Sequence, residues 1–342
     1  MNQPLSRAEI AAIFKQMRIH HPRVDAIIEA CEGARRGVRL SPWEPQGWLE
    51  LFAFSGSGKS HAVKIYLEKV VVPEVIAEGL FPAEMPAAEI ARRQVKVLHV
   101  TLNERATREG LYSDILTRLG AEVSPSAKIG TLRKQLYSYL RGENDEINNP
   151  NRVRPCELLI LDEIQHLSQG AMRQSKGRST KTFETTGTDV TDALKFMMIE
   201  GMVPIMFVGI PEARVHLSVD AQLRSRFVDE VPFDPLRWSD DDEARLYMNY
   251  CGMIGIKIHQ HGLLPQVSNL LEHGIPEMLW QASGGLLGIT CRIAEEAVYH
   301  AQRAGHSTVT LGDLADAVDS RAIPKGYCLY NPFREDRVKR TG

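Results

Sequence analysis

A glycine-rich string with one lysine lies early in the chain and has the composition of a phosphate-binding loop. It reads SGSGKS over residues 55–60, between the apolar run WLELFAF and the helical stretch HAVKIYLEKVV. Gly56 and Gly58 permit positive φ, so successive backbone N–H groups can point into one concavity before a helix N-terminus. Lys59 would contact the β- and γ-phosphates, and the Ser60 hydroxyl would coordinate Mg²⁺. The string therefore predicts an ATP site.

The predicted loop departs from the pattern GxxxxGK[ST] only at its first position, where Ala53 stands in place of glycine. A chance glycine-rich turn between a strand and a helix is the alternative interpretation of the short string. The predicted nucleotide contacts within and beside the loop are Ser55, Gly56, Ser57, Gly58, Lys59, Ser60 and His61.

An acidic pair about a hundred residues later supplies the second half of a hydrolytic site. Asp162 and Glu163 end the apolar run ELLILDE, where a second strand of such a site is expected. Asp162 would hold Mg²⁺ through water, and Glu163 would polarise the attacking water as general base. A solvated acidic pair at a strand end is the alternative. Together the two motifs favour ATP hydrolysis.

Alternating strand and helix patterns would position these residues. Helical patterns separate the apolar runs, so we predict a five-stranded parallel sheet with helices on both faces. The predicted strands are VKVLHVTL from Val95, PIMFVG from Pro204, EVPF from Glu230, and the two runs that carry the motifs. Beyond Pro235 only helical patterns follow.

The chain divides into four predicted segments. These are an N-terminal helical segment (1–46), a nucleotide-binding α/β domain (47–235), a helical lid domain (236–323) and a basic tail (324–342). Ser6 with Glu9, and Thr310 with Asp313, have the spacing of capping boxes, which predicts helices starting at both positions.

Composition limits the class of protein. The net charge is −2, so any DNA binding must come from local patches. The five cysteines are scattered and never form CxxC, which argues against a zinc site or a disulfide framework and favours a reducing cytoplasm. No apolar run approaches the roughly 18 residues that span a bilayer, so we expect no membrane association.

Four strings together resemble a known family. LDEIQHL, FVGIPEA, QLRSRF and HHPRV are similar to the TnsC/TniB family of AAA+ transposition ATPases, over roughly residues 15 to 320. The resemblance implies an AAA+ P-loop fold that uses ATP and Mg²⁺. It also implies a ring or helical filament on double-stranded DNA, which passes target choice from a target-selection protein to a transposase.

The resemblance also implies catalytic groups outside the loop. In QLRSRF, Arg226 matches the arginine that enters the neighbouring subunit's site, and Arg224 is a second candidate; a surface salt bridge is the alternative role. Two positions depart from the family pattern. Ile210 stands where a polar residue is usual, and Gly288 falls near a usual arginine that Arg292, one turn later, could replace.

Two segments are candidates for contacting DNA. In related ATPases the turn after the second strand touches DNA, which indicates Arg105, Thr107 and Arg108. Asn103 would lie beside Glu163 and either couple DNA contact to ATP hydrolysis or cap a helix. The alternative is the basic loop QGAMRQSKGRSTKTF, which would grip phosphates without sequence preference or form a flexible solvated loop. Its cations are Arg173, Lys176, Arg178 and Lys181.

Other functions remain open at this point. A helicase loader or replication initiator would share the nucleotide motifs. A protein-remodelling ATPase would need an aromatic pore loop, whereas the corresponding region here is basic and polar, and a signalling NTPase switch is a further alternative. A neighbouring gene for a transposase would favour the transposition function.

Overall fold

The chain folds into two compact units. The computed structural model describes residues 3–103, 107–142, 155–170, 189–218 and 221–334. The helical unit comprises Met1–Pro22, Phe54–Gly58 and Asp234–Gly342, and the α/β unit comprises Arg23–Ala53 and Lys59–Phe233. The predicted N-terminal segment 1–46 thus contributes to both units, and the predicted domain boundaries stay proposals.

Helices and strands alternate through the α/β unit and give way to helices alone. The strands are β1 (Trp48–Phe52), β2 (Val97–Thr101), β3 (Leu158–Asp162), β4 (Ile205–Gly209) and β5 (Phe227–Glu230). The helices are α1 (Arg7–Gln16), α2 (Pro22–Leu40), α3 (Lys59–Tyr66), α4 (Val72–Ala77), α5 (Ala87–Arg93), α6 (Arg108–Arg118), α7 (Ile129–Leu140), α8 (Asp189–Ile199), α9 (Arg214–Ser218), α10 (Ala221–Arg224), α11 (Asp241–Gln260), α12 (Ile275–Ser283), α13 (Leu287–Ala304) and α14 (Leu311–Ala317).

The strands form one parallel sheet in the order β2-β3-β4-β1-β5. Alternate residues of β1 to β4 enter different cores: Leu159 and Leu161 of β3 pack with α6, α7 and α8, whereas Leu158 and Ile160 pack with α2 to α5. Both faces of the sheet are therefore covered, as the continuous apolar runs predicted. The predicted fold class is confirmed.

The fifth strand starts earlier than predicted. EVPF was expected to form the strand from Glu230, but β5 ends at that residue and pairs with β1 from Phe227. All four residues of β5 are exposed, whereas Val231 and Phe233 beyond it are buried. The apolar residues of EVPF therefore marked the buried segment that follows the strand, whereas the apolar residues within the strand, Phe227 and Val228, are exposed.

Both predicted capping boxes are present in the helical unit. The Ser6 side chain accepts from the backbone N–H of Glu9, and Thr310 does the same with Asp313, each with the reciprocal bond. Helix α1 packs with α11 to α14 in one apolar core. Among the described residues, no helix is both long and apolar enough to cross a membrane.

A buried arginine of α2 forms ion pairs with other elements of the α/β unit. The side chain of Arg35 is fully buried and lies 2.6 Å from a carboxylate oxygen of Glu32, 2.6 Å from Glu74 and 2.7 Å from Glu157. Arg39 also contacts Glu74 and Glu157. The network joins α2, α4 and the residue that precedes β3, so each buried charge has a partner of opposite sign.

The two shared carboxylates are held in their charged form. Burial opposes ionisation of Glu157, but hydrogen bonds from Arg39 and the charge of Arg35 outweigh it and lower its pKa. Burial likewise opposes ionisation of Glu74, whose pKa is lowered by Arg35 and Lys96. Since both values lie below the ordinary one, this stabilisation is complete at neutral pH and is lost as the pH falls through the lowered values.

We expect Arg35→Ala to lower the free energy of unfolding by about 3 kcal/mol, because it removes the fully buried cation of the network and leaves Glu157 and Glu74 only their contacts with Arg39 and Lys96. Urea denaturation at neutral pH measures this. The control is Arg36→Ala, which removes the exposed neighbouring arginine of the same helix and should change stability by less than about 0.5 kcal/mol. Equal effects of the two substitutions would refute a structural role for the network.

Candidate functional site

The carboxylate of Asp162 lies at the carboxyl end of β3, where three elements meet. Thr101 of β2 is its register partner, and the backbone N–H of Leu102 donates to its carbonyl at 2.9 Å. Its side chain accepts a hydrogen bond from Ser60, the second residue of α3, and lies 3.2 Å from His99 Nε2. The structure thus brings Ser60 and Asp162, which are about a hundred residues apart in sequence, into direct contact.

The site keeps Asp162 ionised although the residue is buried. Burial opposes its charge, but hydrogen bonds from His99 and Ser60 outweigh that penalty and lower its pKa. Burial lowers the pKa of Lys59, while the charges of Asp162 and Glu163 act in the opposite direction. Lys59 and the acidic pair therefore share one electrostatic environment at this edge of the sheet.

Lys59 begins α3 and turns back onto the end of β1. Its Nζ donates to the carbonyl oxygen of Ala53 at 2.5 Å. Ala53 is fully buried in the core beneath α3, and its N–H donates to Gly209 at the end of β4 at 3.1 Å. The methyl group of Ala53 thus adds to the core, which accounts for alanine at the first position of the loop pattern.

Glu163 has an uncommon backbone conformation for a residue with a side chain. Its φ is 62°, and its N–H donates to Asp162 Oδ1 at 2.9 Å. The carbonyl oxygen of Glu163 accepts from the N–H of His166, within the 3₁₀ helix Ile164–Gly170, and its carboxylate accepts from Gln165 Nε2. Such a conformation persists where surrounding contacts fix it, and it is frequent at functional sites.

Ser60 and Asp162 fit a bound Mg²⁺. Within the described parts of the chain, no cluster of three or more His, Cys, Asp or Glu side chains could hold a metal ion. Mg²⁺ keeps several waters and typically uses one or two protein oxygens together with substrate phosphates, so a hydroxyl and an ionised carboxylate in contact suit it. Both residues remain proposed ligands.

The turn formed by Phe54–Gly58 belongs to the helical unit. Gly56 and Gly58 have φ of 80° and 102°, as a phosphate-binding turn requires, and the carbonyl of Gly56 accepts from the N–H of Ile289 at 3.1 Å. That N–H lies in the first turn of α13, where backbone donors lack helical partners. Ser55 and Ser57 lie within the same turn, and His61 follows in α3.

Gly288 is required to be glycine because it touches this turn. A Cβ at Gly288 would lie 2.4 Å from the carbonyl oxygen of Gly56 and 3.3 Å from the backbone nitrogen of Gly58. Any residue with a side chain at this position would therefore displace the turn. Arg292, one turn later on α13, donates to Glu295 at 3.1 Å; its proposed contact with nucleotide stays a prediction.

Arg226 lies at the opposite end of β1 from Lys59. Its carbonyl oxygen accepts from the N–H of Trp48, the first residue of β1, at 3.0 Å. Its Nε is buried and has no hydrogen-bond partner among the described residues. Arg224, at the end of α10, is exposed. A strand of this length spans about 13 Å, which places Arg226 far from its own Lys59.

The residues predicted to contact DNA are only partly described. Thr107 caps α6 by accepting from the N–H of Gly110 at 3.1 Å, and Arg108 is the half-buried first residue of that helix. Asn103 is exposed and donates to Asp114 of α6 at 3.3 Å. The other predicted contacts, Arg105, Arg173, Lys176, Arg178 and Lys181, lie outside the described residues.

Two polar residues next to the acidic pair, and one glycine of the helical unit, were not given a role from the sequence. His99 lies within a strand pattern, so its contact with Asp162 depends on the register of β2 and β3, which periodicity does not show. Gln165 follows the pair closely and was visible in DEIQHL without a role. Gly288 was noted only as a departure. Of these, only Gln165 could have been given a role from the sequence, because it is a polar residue two positions after the proposed base Glu163.

Comparison with known proteins shows a likeness to one family over just under half of the chain. Residues 74–238 match the family model described as Bacterial TniB protein. The predicted TniB resemblance is confirmed. The match includes the acidic pair and Arg226 and ends before most of the helical unit. No curated protein matches the sequence.

Solved structures show that the TniB-like chain has the AAA+ fold. The ORC2 protein of Aeropyrum pernix, in ADPNP and ADP complexes, has a TM-score of 0.56 and 13% identity, with 90% of this chain and 70% of that chain covered. Cdc6p of Pyrobaculum aerophilum gives 0.56 and 11%, with 90% and 70% covered. Drosophila ORC bound to DNA gives 0.53 and 14%, with 93% and 68% covered.

We expect Gly288→Ala in this TniB-like chain to weaken ATP binding by about tenfold or more, because the added Cβ would push the Gly56 carbonyl out of the turn. Fluorescent-nucleotide titration measures the affinity. Gly312→Ala, in α14, is the matched control, since its Cβ would meet only Thr310 Oγ at 3.6 Å. Unchanged affinity in Gly288→Ala would show that contact with α13 does not set the shape of the turn.

Proposed function

We propose that this chain is an ATP-dependent, DNA-binding AAA+ regulator of transposition. It would assemble on target DNA as a ring or helical filament and link a target-selection protein to the transposase. The match of residues 74–238 to the TniB family carries the transposition role. ATP hydrolysis would reset the assembly, so that the nucleotide state acts as a switch.

Each residue of the site has a distinct task in the proposed hydrolysis. Lys59 would give up its hydrogen bond to the Ala53 carbonyl and contact the β- and γ-phosphates. The exchange is possible because carbonyl and phosphate oxygens both accept from its ammonium. Ser60 and Asp162 would hold Mg²⁺, which supplies charge neutralisation at the phosphates when bound. Glu163 would take the proton of the attacking water.

Arg226 would complete the site of a neighbouring subunit. Its backbone is fixed at the amino end of β1, whereas Lys59 follows the carboxyl end, so the guanidinium cannot serve its own loop. A buried Nε without a partner in the described residues suits a group that gains one on assembly. In that position the arginine would stabilise charge that develops on the transferred phosphoryl group.

DNA binding would rest on a few cations repeated in each subunit. The net charge of −2 gives no overall attraction to DNA, so repetition along an assembly must supply the affinity. The solved Drosophila ORC complex shows a protein of this fold together with DNA, which supports the proposal without choosing residues. Arg105, Thr107 and Arg108 stay the preferred contacts, and the loop of Arg173 to Lys181 is the competing one.

We expect mixed assemblies of Lys59→Ala and Arg226→Ala subunits to recover ATPase activity. In a random equal mixture about one quarter of the interfaces contain both intact groups, so activity should approach that fraction of wild type while each variant alone is nearly inactive. Steady-state hydrolysis, with co-assembly checked by sedimentation, measures this.

The matched control replaces Arg226→Ala by Arg224→Ala, which removes the exposed arginine two residues earlier. If Arg226 is the shared group, Arg224→Ala subunits stay active without mixing. Arg224→Ala subunits that are inactive alone and recover only when mixed with Lys59→Ala would move the role to Arg224, and co-assembly of Lys59→Ala with Arg226→Ala without recovery would contradict a shared site.

We expect the double substitution of Arg105 and Arg108 to alanine to weaken DNA binding equally on unrelated sequences. The slope of log affinity against log salt should fall by about 2, because two phosphate contacts are lost per binding unit. Fluorescence anisotropy at several salt concentrations measures both values. Loss of affinity only after the four loop cations are replaced would instead assign DNA binding to that loop.

A further inference from the structure

Gln165 contacts the carboxylate proposed to act as general base. Its Nε2 donates to Glu163 Oε2, and the two residues are separated by Ile164, which is fully buried. The backbone of Glu163 is held independently, through its N–H to Asp162 Oδ1 and its carbonyl oxygen to the N–H of His166. Within the described residues, the amide of Gln165 thus donates a hydrogen bond to the Glu163 carboxylate, and this bond restrains its orientation.

The end of β4 lies directly under the Gln165 side chain. A Cβ at Gly209 would lie 2.5 Å from Ile164 Cγ2 and 3.1 Å from Gln165 Oε1, so this position has no room for a side chain of its own. The next residue, Ile210, packs its apolar side chain against the core that contains α6, α7 and α8. Neither residue at the end of β4 therefore offers a polar group to Glu163.

The geometry points to Gln165 as the positioning residue of the hydrolytic site. Its side-chain amide donates to the Glu163 carboxylate from two residues further along the chain. It thereby supplies a polar group next to Glu163, which the apolar side chain of Ile210 does not. One oxygen of Glu163 accepts from the amide, which leaves the other free to accept from the attacking water. This inference rests on the proposed function, since it concerns how the base of that reaction is oriented.

Orientation of a base affects turnover more than binding. A misplacement of about 1 Å in a reacting group can cost about a hundredfold in rate. Gln165→Ala removes the amide and lets the Glu163 side chain rotate, whereas Gln165→Glu keeps the length but places a second carboxylate beside the first. Both should lower kcat, and neither touches the groups proposed to bind phosphate.

The experiment compares Gln165→Ala, Gln165→Glu and His166→Ala, the last being the adjacent position in the same turn. We expect kcat to fall about tenfold to a hundredfold in both Gln165 variants, with KM, the affinity for a non-hydrolysable ATP analogue and the melting temperature near wild type. His166→Ala should match wild type. In a Glu163→Gln background, Gln165→Ala should cause no further loss, because the group that it orients is already gone.

Several results would overturn the inference. These are a kcat within about twofold of wild type in Gln165→Ala, a raised kcat, an additional loss in the Glu163→Gln background, or an equal loss of nucleotide affinity that reveals a structural role. A wild-type chain without Glu163-dependent hydrolysis would instead contradict the proposed function itself, and the inference would fall with it.

Discussion

One carboxylate ties the proposed site together. Asp162 ends β3 and accepts hydrogen bonds from Ser60 at the start of α3, from His99 on β2 and from the N–H of Glu163. Since burial alone would favour its neutral form, these donors are what keep it charged. The parallel register of β2 and β3 supplies the His99 donor, while α3 supplies Ser60 and the following residue supplies its own N–H. The nucleotide chemistry that we propose depends on this arrangement.

Local signals in the sequence predicted much of the fold and the main motifs. The glycines of residues 55–60, the acidic pair and both capping boxes depend on neighbours within a few residues, so sequence patterns suffice to find them. Contacts between distant segments were not predicted. The clash that excludes a side chain at Gly288 depends on Gly56, and the contact of His99 with Asp162 depends on strand register. The start of β5 was predicted too late, because the buried residues Val231 and Phe233 follow the strand instead of lying within it.

The departure from the loop pattern at Ala53, and those from the family pattern at Gly288 and Ile210, have physical explanations in this fold. Ala53 fills the core beneath α3, Gly288 leaves room for the turn that carries Gly56, and Ile210 is apolar where the Gln165 amide lies beside Glu163. These positions change the identity of the supporting residues while the central lysine, hydroxyl and carboxylates are retained. The AAA+ likeness to ORC and Cdc6 proteins, at 11–14% identity, establishes the fold and does not choose among DNA-linked functions.

In the proposed function, bound nucleotide controls the assembly of this chain on DNA. Electron microscopy of the chain with double-stranded DNA, in the presence of Mg²⁺ and either a non-hydrolysable ATP analogue or ADP, tests it most directly. We expect rings or helical filaments around DNA with the analogue, and their loss with ADP. Single subunits in both states, or identical assemblies in both, would contradict it.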